Sequence, residues 1–179
     1  MKAEPLGLTE SDGSSAERPA HRPAVRALLM DPDDGAVLLM CSRFPGWKRA
    51  RWLTPGGGID AGETHEDALL REVFEETRLE VGPEAIVGGP VWTRRVRYEW
   101  RGIHYDQHEQ FFLLHVPRFE PDAQANPAEH ETEALQGFGW WTAAAMAASD
   151  DQFIPRAITT ELAALAAGEL PERPYDIGL

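Results

Sequence analysis

Residues 57–79 read GGIDAGETHEDALLREVFEETRL and carry the strongest local pattern in the chain. Thr64 has the side chain of a helix N-cap, and Asp67, three positions later, places an acid at the positive end of the helix dipole. The segment therefore predicts a helix that begins near Thr64. Beyond that point apolar residues recur at helical spacing and would form one buried stripe: Ala68, Leu69, Leu70, Val73 and Phe74.

Three glutamates share another face of the predicted helix. Glu72, Glu75 and Glu76 stand at positions i, i+3 and i+4, a spacing at which like charges repel one another weakly. An acidic protein can carry such a face simply as solvated surface. A hard divalent cation would turn the repulsion into attraction, since Mg²⁺ and Mn²⁺ prefer carboxylate and phosphate oxygens. The face therefore predicts a metal site, with an ordinary solvated surface as the alternative.

The spacing around these glutamates resembles the Nudix box. That family signature reads glycine, five residues of any kind, glutamate, seven of any kind, Arg-Glu-apolar, any residue, Glu-Glu, any residue, glycine and an apolar residue. One defined position departs from it, because an arginine stands where the family has its last glycine. The matching positions are Gly57, Glu63, Arg71-Glu72-Val73, Glu75-Glu76 and, at the end, Arg78-Leu79.

The resemblance implies roles for individual residues. The three glutamates of the acidic face would bind two or three catalytic divalent metals, Mg²⁺ with Mn²⁺ as a substitute, and the main-chain carbonyl of Gly56 would add a further ligand. Glu63 would bind metal directly or through water. Arg71 would orient the glutamates by charge-assisted hydrogen bonds, with a weak surface pair to Glu75 as the plainer alternative.

The departure at Arg78 falls at the end of the predicted helix. A helix often ends on a glycine in the left-handed conformation, and a residue with a Cβ there costs about 1 kcal/mol. The replacement touches helix termination and leaves the proposed metal ligands intact. We therefore expect a slightly strained C-terminal turn with activity retained.

The composition fits one soluble domain. The chain has 179 residues, 42% of them hydrophobic, which is enough for a sizeable single core. A net charge of −13 disfavours an extensive nucleic-acid surface, because such a surface needs a basic patch. Cys41 is the only cysteine, so no intrachain disulfide and a reducing, cytoplasmic location are expected. Neither a membrane span nor a hydrophobic signal region is recognisable.

The segments outside the box predict a sheet covered by helices. The apolar runs at 24–30 and 36–41 are separated by a turn-rich linker and look like a β-hairpin. Further strands are expected at 91–100, 103–116 and 138–141, and helices at 142–148 and 155–167. The resemblance sharpens this to an α/β (α+β) fold, an α/β/α sandwich with a mixed β-sheet and a loop-helix-loop catalytic motif.

The domain limits also follow from the resemblance. A Nudix domain is expected over residues 23–170. A flexible N-terminal tail would occupy residues 1–22, which are rich in Ser, Glu, Pro and Gly, and a C-terminal tail would occupy residues 171–179.

A two-residue turn at Arg101-Gly102 would set the register between the strands on either side of it. In that register Arg94 faces Glu109 on a face that is otherwise mostly apolar and aromatic. A buried ion pair is costly, and such a pair more often marks a functional cleft than a stabilising contact. The full expected pairing is Trp100 with Ile103, Tyr98 with Tyr105, Val96 with Gln107, Arg94 with Glu109 and Trp92 with Phe111.

Nudix enzymes often recruit a further glutamate from outside the box as a metal ligand or general base. Glu109 is the first candidate for that role, and Glu131 and Glu133, in the loop before Trp140, are the alternatives. Glu109 could instead be a simple partner of Arg94. Arg94 itself is a candidate for clamping a substrate phosphate, with a structural role as the alternative.

Aromatic and basic residues alternate just before the glycine loop. Trp47 and Trp52 flank Lys48, Arg49 and Arg51 there, and Trp52 and Arg51 are taken as substrate-binding candidates. The alternative is that the tryptophans belong to the core and the basic residues to an ordinary surface.

The resemblance implies a Mg²⁺-dependent hydrolase that cleaves a phosphoanhydride in a nucleoside diphosphate linked to another moiety. ADP-ribose, nucleotide sugars, dinucleoside polyphosphates and (d)NTPs are the open substrates. A catalytically reduced nucleotide-binding or regulatory module is the alternative, and action on capped RNA is disfavoured by the acidic balance. The expected partner is a small nucleotide, without a membrane, and a homodimer is left open.

Overall fold

The computed structural model describes residues 12–122 and 134–178. Within them, apolar runs bounded by turns form eight strands, and three segments with helical periodicity form α-helices. The strands are β1 (Ala20–Met30), β2 (Val37–Ser42), β3 (Arg51–Leu53), β4 (Trp92–Trp100), β5 (Ile103–His115), β6 (Leu135–Trp141), β7 (Phe153–Ile154) and β8 (Tyr175–Asp176). The helices are α1 (His65–Thr77), α2 (Ala143–Ala147) and α3 (Ile158–Ala166).

The strands form one mixed sheet. Its order is β7-β3-β2-β1-β5-β4-β8, and β6 pairs with β2 outside that path. β1 and β5 run parallel from Ala20 opposite Tyr105 to Met30 opposite His115, whereas β4 and β5 are antiparallel. The sheet therefore combines both strand directions, as the resemblance implied.

Helices cover both faces of the sheet. Because side chains alternate along a strand, β1 sends Ala27 and Leu29 to the face covered by α1 and Leu28 and Met30 to the face covered by α2 and α3. The cluster under α1 includes its buried residues Ala68, Leu69 and Val73, and the cluster on the other face includes Met146, Ile158, Leu162 and Leu165. The layers confirm the expected α/β/α sandwich.

The predicted hairpin of the first two apolar runs is confirmed, but a single residue pair joins its two strands. The turn after Met30 is tight, since Asp31 N–H donates to the carbonyl of Ala36 over 2.9 Å. The register between β1 and β2, however, joins only Met30 with Val37. One edge of β1 is taken by β5 and most of the other by backbone hydrogen bonds to the glycine loop, so β2 forms most of its pairs with β3 and β6.

Element limits differ from the predicted ones mainly at the chain ends. β1 begins at Ala20, so three residues of the predicted tail 1–22 belong to the sheet, where β5 supplies their hydrogen bonds. β8 falls in the predicted C-terminal tail 171–179 and pairs in parallel with β4. The last helix begins at Ile158, after Pro155. None of the helices in the described ranges has the length and apolar character of a membrane span.

Candidate active site

The glycine loop between β3 and α1 lies against the free edge of β1. Val25 N–H donates to the carbonyl of Gly57 over 3.0 Å, and Ala27 N–H donates to that of Pro55 over 2.8 Å. Gly56 has φ 131°, and a Cβ at this position would collide with the carbonyl oxygen of Val25. Glycine is therefore needed at position 56 for the loop to approach the strand this closely.

The helix α1 begins where its sequence predicts. The Thr64 side chain accepts a hydrogen bond from Asp67 N–H over 3.1 Å, and the Asp67 carboxylate accepts one from Thr64 N–H over 3.3 Å, which completes a capping box. The predicted apolar stripe is correct for the residues that face the sheet but wrong for Phe74, which is 38% exposed. Phe74 instead lies under the Arg78 guanidinium, whose central carbon is 5.0 Å from the ring centroid.

Two of the predicted metal ligands lie against the glycine loop. Glu76 is 8% exposed and accepts a hydrogen bond of 2.7 Å from Gly56 N–H. The Glu72 carboxylate stands beside Gly57, where an added Cβ would lie 2.5 Å from its Oε1. The loop and the helix thus bring two carboxylates against Gly56 and Gly57, although Gly56 and Glu76 are 20 positions apart in sequence.

Arg71 donates hydrogen bonds to three glutamates of the box. Its guanidinium donates to Glu63 over 2.7 and 2.9 Å, to Glu72 over 2.8 Å and to Glu75 over 3.3 Å. A further bond of 2.9 Å reaches the carbonyl of Gly58. Hydrogen bonds from Arg71 are the main reason that the pKa of Glu63 falls to about 2. These contacts are the ones that an orienting role for Arg71 requires.

The acidic cluster has the donor chemistry of a Mg²⁺ or Mn²⁺ site. All of the implied ligands at 56, 72, 75 and 76 offer oxygen, and the missing Cβ of Gly57 leaves room for one carboxylate beside the loop. Over residues 12–122 and 134–178, however, no three acidic, histidine or cysteine side chains stand in a metal-binding arrangement. The oxygen donors of the cluster are the ones that such a metal prefers. The carboxylate side chains would have to rotate toward one another to bind the same ion.

A buried polar group on the sheet lies next to the cluster. The expected register of β4 and β5 is confirmed, with Arg94 opposite Glu109 and a turn in which Arg101 has φ 51°. Glu109 accepts hydrogen bonds from Arg94 over 2.5 Å and from Arg26 over 2.9 Å. Arg26 also donates to the carbonyl of Gly56 over 2.5 Å. Arg26 thereby connects the sheet face to the glycine loop.

Glu109 is an ionised carboxylate in a fixed position. It is 1% exposed, and Gln107 donates to it over 2.7 Å in addition to the two arginines. Burial raises its pKa, but the charges of Arg26 and Arg94 outweigh that effect and hold the pKa below its ordinary value. This environment suits a residue that positions arginines better than one that accepts a proton. The alternative bases Glu131 and Glu133 lie outside the described residues.

Sequence analysis missed Arg22, Arg26, Gln107 and Tyr98. Arg22 donates to Gln107, and the Tyr98 hydroxyl donates to the same amide oxygen over 2.8 Å. The available signal was a pair of arginines four residues apart in an otherwise mainly apolar strand. That signal acquires a meaning only once the parallel pairing of β1 with β5 is known.

The substrate-binding candidates before the glycine loop make contacts of another kind. Trp52 packs against Trp141 with ring centroids 5.1 Å apart, within the apolar cluster under α2 and α3. Arg51 lies 4.3 Å from the Trp47 ring centroid and donates to Gln152 over 3.1 Å. These contacts place Trp52, partly buried, against the core and Arg51 beside Trp47, and the role of Trp52 and Arg51 toward substrate stays a prediction.

Comparisons with known proteins give the fold and family context. Residues 20–162 match the family model described as NUDIX domain. The chain is 27% identical over 125 residues to Nudix hydrolase 25 of Arabidopsis thaliana, a match that covers 65% of this chain and 69% of that protein.

Solved structures share the architecture. The MutT protein from Methanosarcina mazei Go1 has a TM-score of 0.60 at 18% identity, covering 84% of this chain and 98% of that one. An Ap4A hydrolase from C. elegans has a TM-score of 0.54 at 20% identity, covering 82% of this chain and 98% of that one. The same mixed sheet and helix arrangement thus occurs in both.

Proposed function

Since the chain belongs to the Nudix family of hydrolases, we propose that it is a Mg²⁺-dependent enzyme that cleaves the phosphoanhydride of a nucleoside diphosphate linked to another moiety. The observation that carries this proposal is the meeting of Glu72 and Glu76 with the glycine loop at Gly56 and Gly57. Carboxylates spaced along one helix face and packed against a glycine loop suit a hard divalent ion that also binds phosphate.

The metal ligands in this proposal are the three box glutamates and the Gly56 carbonyl, with Glu63 as a further ligand through water. When bound, the metal supplies charge neutralisation at the phosphates and lowers the pKa of a bound water. Arg71 holds the carboxylates of Glu63, Glu72 and Glu75 in fixed orientations through four hydrogen bonds to them. The loop against β1 fixes the position of the Gly56 carbonyl relative to the sheet.

Arg26 and Arg94 are proposed to receive substrate phosphate. Both guanidiniums are aligned by Glu109, and each retains donor atoms beyond those that the carboxylate uses. Planar guanidinium groups bind phosphate through paired hydrogen bonds, so two of them beside the acidic cluster would hold a negatively charged ligand against it. Glu109 is accordingly proposed as a positioning residue. The general base stays open between it and the loop glutamates 131 and 133.

The proposed location of the enzyme is the cytoplasm. Cys41 is the single cysteine and carries a free thiol, which fits a reducing compartment such as the cytoplasm. A small nucleotide is the proposed partner. A homodimer stays an open proposal, to be decided by light scattering of the purified chain.

The test is product release from a panel of nucleotides in Mg²⁺, Mn²⁺ or EDTA. The panel contains ADP-ribose, nucleotide sugars, diadenosine polyphosphates, and ordinary and oxidised dNTPs. We expect metal-dependent cleavage that Glu76→Gln reduces by roughly 100-fold or more. Glu66→Gln is the matched control, because Glu66 lies exposed in the first turn of the same helix and should leave turnover unchanged.

Two results would count against the proposal. Turnover that persists in EDTA would remove the metal from the mechanism. Silence across the whole panel, with nucleotide binding intact, would favour the alternative of a catalytically reduced binding or regulatory module.

A further inference from the structure

The face that carries Arg94 and Glu109 continues toward the tip of the β4–β5 hairpin. α2 and α3 cover the other end of this face, around Trp92 and Phe111. Toward the tip its side chains become aromatic: the rings of Tyr98 and Tyr105 stack with centroids 5.3 Å apart and an interplanar angle of 26°. Trp100 follows on the same face, since residues two apart on a strand share a side.

Direct contacts connect this aromatic end to the acidic cluster. The Arg22 guanidinium lies beside Gly58 of the glycine loop, where an added Cβ would be 3.0 Å from its Nη2. Arg22 donates to Gln107, which also accepts from Tyr98. The sheet therefore presents a continuous strip that begins at the glycine loop and ends at the hairpin tip.

A cavity of about 340 Å³ opens at the end of the strip. The loop after β2 meets the hairpin there, and the Phe44 ring lies edge-on to Trp47 at 5.1 Å and to Trp100 at 6.1 Å. Its volume is within the range of small-molecule sites. We call this site the aromatic cavity. The aromatic and basic residues of its lining are Arg43, Phe44, Trp47, Trp100 and Arg101.

The described residues that line the aromatic cavity are basic or uncharged. The net charge of the sequence is −13, yet no Asp or Glu occurs among the described residues that line the cavity, and two arginines do. A second cavity of about 380 Å³ shares Gly46 and Trp47 with it and is lined by Lys48, Arg49 and Arg51. Aromatic faces beside several cations suit a planar ring that carries a phosphate.

We propose that the aromatic cavity binds the second nucleoside phosphate of a two-nucleotide substrate, a dinucleoside polyphosphate, while the acidic cluster acts on its phosphate chain. This rests on the proposed function. Trp100 stands six residues from Arg94 along β4, about 20 Å at 3.4 Å per residue. A ligand whose distal base lies in the cavity needs several phosphates to span the distance from there to Arg94. The five basic residues around the two cavities neutralise the phosphates of the distal half.

Binding without catalysis tests the cavity directly. In EDTA, the affinity for diadenosine tetraphosphate is measured by titration calorimetry for the wild-type chain, Trp100→Ala, Trp100→Phe and Arg101→Asn. Asparagine suits position 101 because it tolerates the left-handed backbone. We expect Trp100→Ala and Arg101→Asn to weaken binding about tenfold, and Trp100→Phe to retain most of it, because base stacking needs an aromatic face. Arg97→Gln, on the opposite face of β4, is the control.

Kinetics then distinguish a second nucleotide site from the site of a single base. For diadenosine tetraphosphate we expect Trp100→Ala to raise KM about tenfold with kcat unchanged, and for ADP-ribose, which has one base, no change. Equal losses for both ligands, or unchanged affinity in the variants, would overturn the proposal.

The binding arm stays informative if the enzyme cleaves nothing in the panel, so failure of the cavity and failure of the hydrolase are separable. A 5′-triphosphate RNA oligonucleotide is the last probe. If it bound more tightly than diadenosine tetraphosphate and lost that affinity in the same variants, the occupant would be an RNA end and the small-molecule assignment would be wrong.

Discussion

The Glu72 carboxylate occupies the space that a side chain on Gly57 would need, because a Cβ there would lie 2.5 Å from Glu72 Oε1. Gly57→Ala should therefore displace a flexible carboxylate and leave the backbone in place. We expect turnover to fall roughly 10- to 100-fold, since small displacements of reacting groups are costly. The free energy of unfolding should change by no more than about 0.5 kcal/mol. Steady-state kinetics and urea unfolding measure the two effects.

Gly56→Ala is the contrasting variant. Its Cβ would meet the backbone of Val25 and Arg26, and the residue would be held at φ 131°. We expect a loss of about 2 kcal/mol or more in the free energy of unfolding. If both alanine variants proved equally stable, the close approach of the loop to β1 would not exist in solution.

Glu109 should be more important for stability than exposed acids of the same hairpin. Glu109→Gln keeps the shape of the side chain but leaves Arg26 and Arg94 without their shared counter-charge. Removing the charge of one partner in a buried ion pair lowers the free energy of unfolding by about 3 kcal/mol or more. Glu99→Gln, on the exposed face of β4, is the control and should stay within about 0.5 kcal/mol of wild type.

The same variant separates the two roles considered for Glu109. As a positioning residue, it should mainly raise KM when changed to Gln, because the arginines lose their alignment. A loss confined to kcat, together with disappearance of the acidic limb of the pH–rate profile, would instead identify it as the general base.

Arg78 should be replaceable by glycine with a gain in stability. It holds φ 59° at the C-cap of α1, a conformation that costs a residue with a Cβ about 1 kcal/mol. Its guanidinium over Phe74 offsets part of that cost. We expect Arg78→Gly to raise the free energy of unfolding and Arg78→Ala, which keeps the strain and loses the ring contact, to lower it. A loss of stability in both variants would show that the ring contact outweighs the strain, because both variants lose that contact.

Asp106 should stabilise the fold in a way that depends on pH. Hydrogen bonds from Arg95 hold its pKa well below the ordinary 3.8, although burial raises it. Arg97 and His108 also lie within 3.4 Å of the carboxylate. A carboxylate with a lowered pKa contributes its full stability above its unfolded pKa and loses it as the pH falls. The stability difference between wild type and Asp106→Asn should therefore shrink as urea titrations move from pH 6 to pH 3.

A constant difference over that pH range would mean that the contribution of Asp106 does not depend on its charge. Asp33→Asn is the control, since Asp33 is exposed in the turn after β1, away from Asp106.

Local sequence signals predicted the parts of the site that are close together in the chain. The N-cap at Thr64, the helical spacing of the glutamates and the turn at Arg101-Gly102 are all set within a few residues, and each one is found. The register prediction succeeded for the same reason, since a two-residue turn leaves little freedom to the strands beside it.

The parts that were missed depend on distant pairing. The hairpin of β1 and β2 was predicted from proximity and is found, but most of the hydrogen-bonding edges of β1 go to β5 and to the glycine loop. Parallel pairing has no turn that could reveal it in the sequence. For that reason Arg22 and Arg26 could not be connected to Gln107 and Glu109 before the sheet was known.

The parallel pairing of β1 with β5 also has a consequence for synthesis. Arg26 and its partner Glu109 are 83 positions apart. At the 5–20 residues per second of translation, roughly 4 to 17 s pass between the two leaving the ribosome. During that time the apolar β1 has no strand to cover its long edge, and closing so large a loop is slow. The chain is therefore most vulnerable to aggregation after β1 has been synthesised and before β5 has. Chaperones that the chain needs should bind it at that stage.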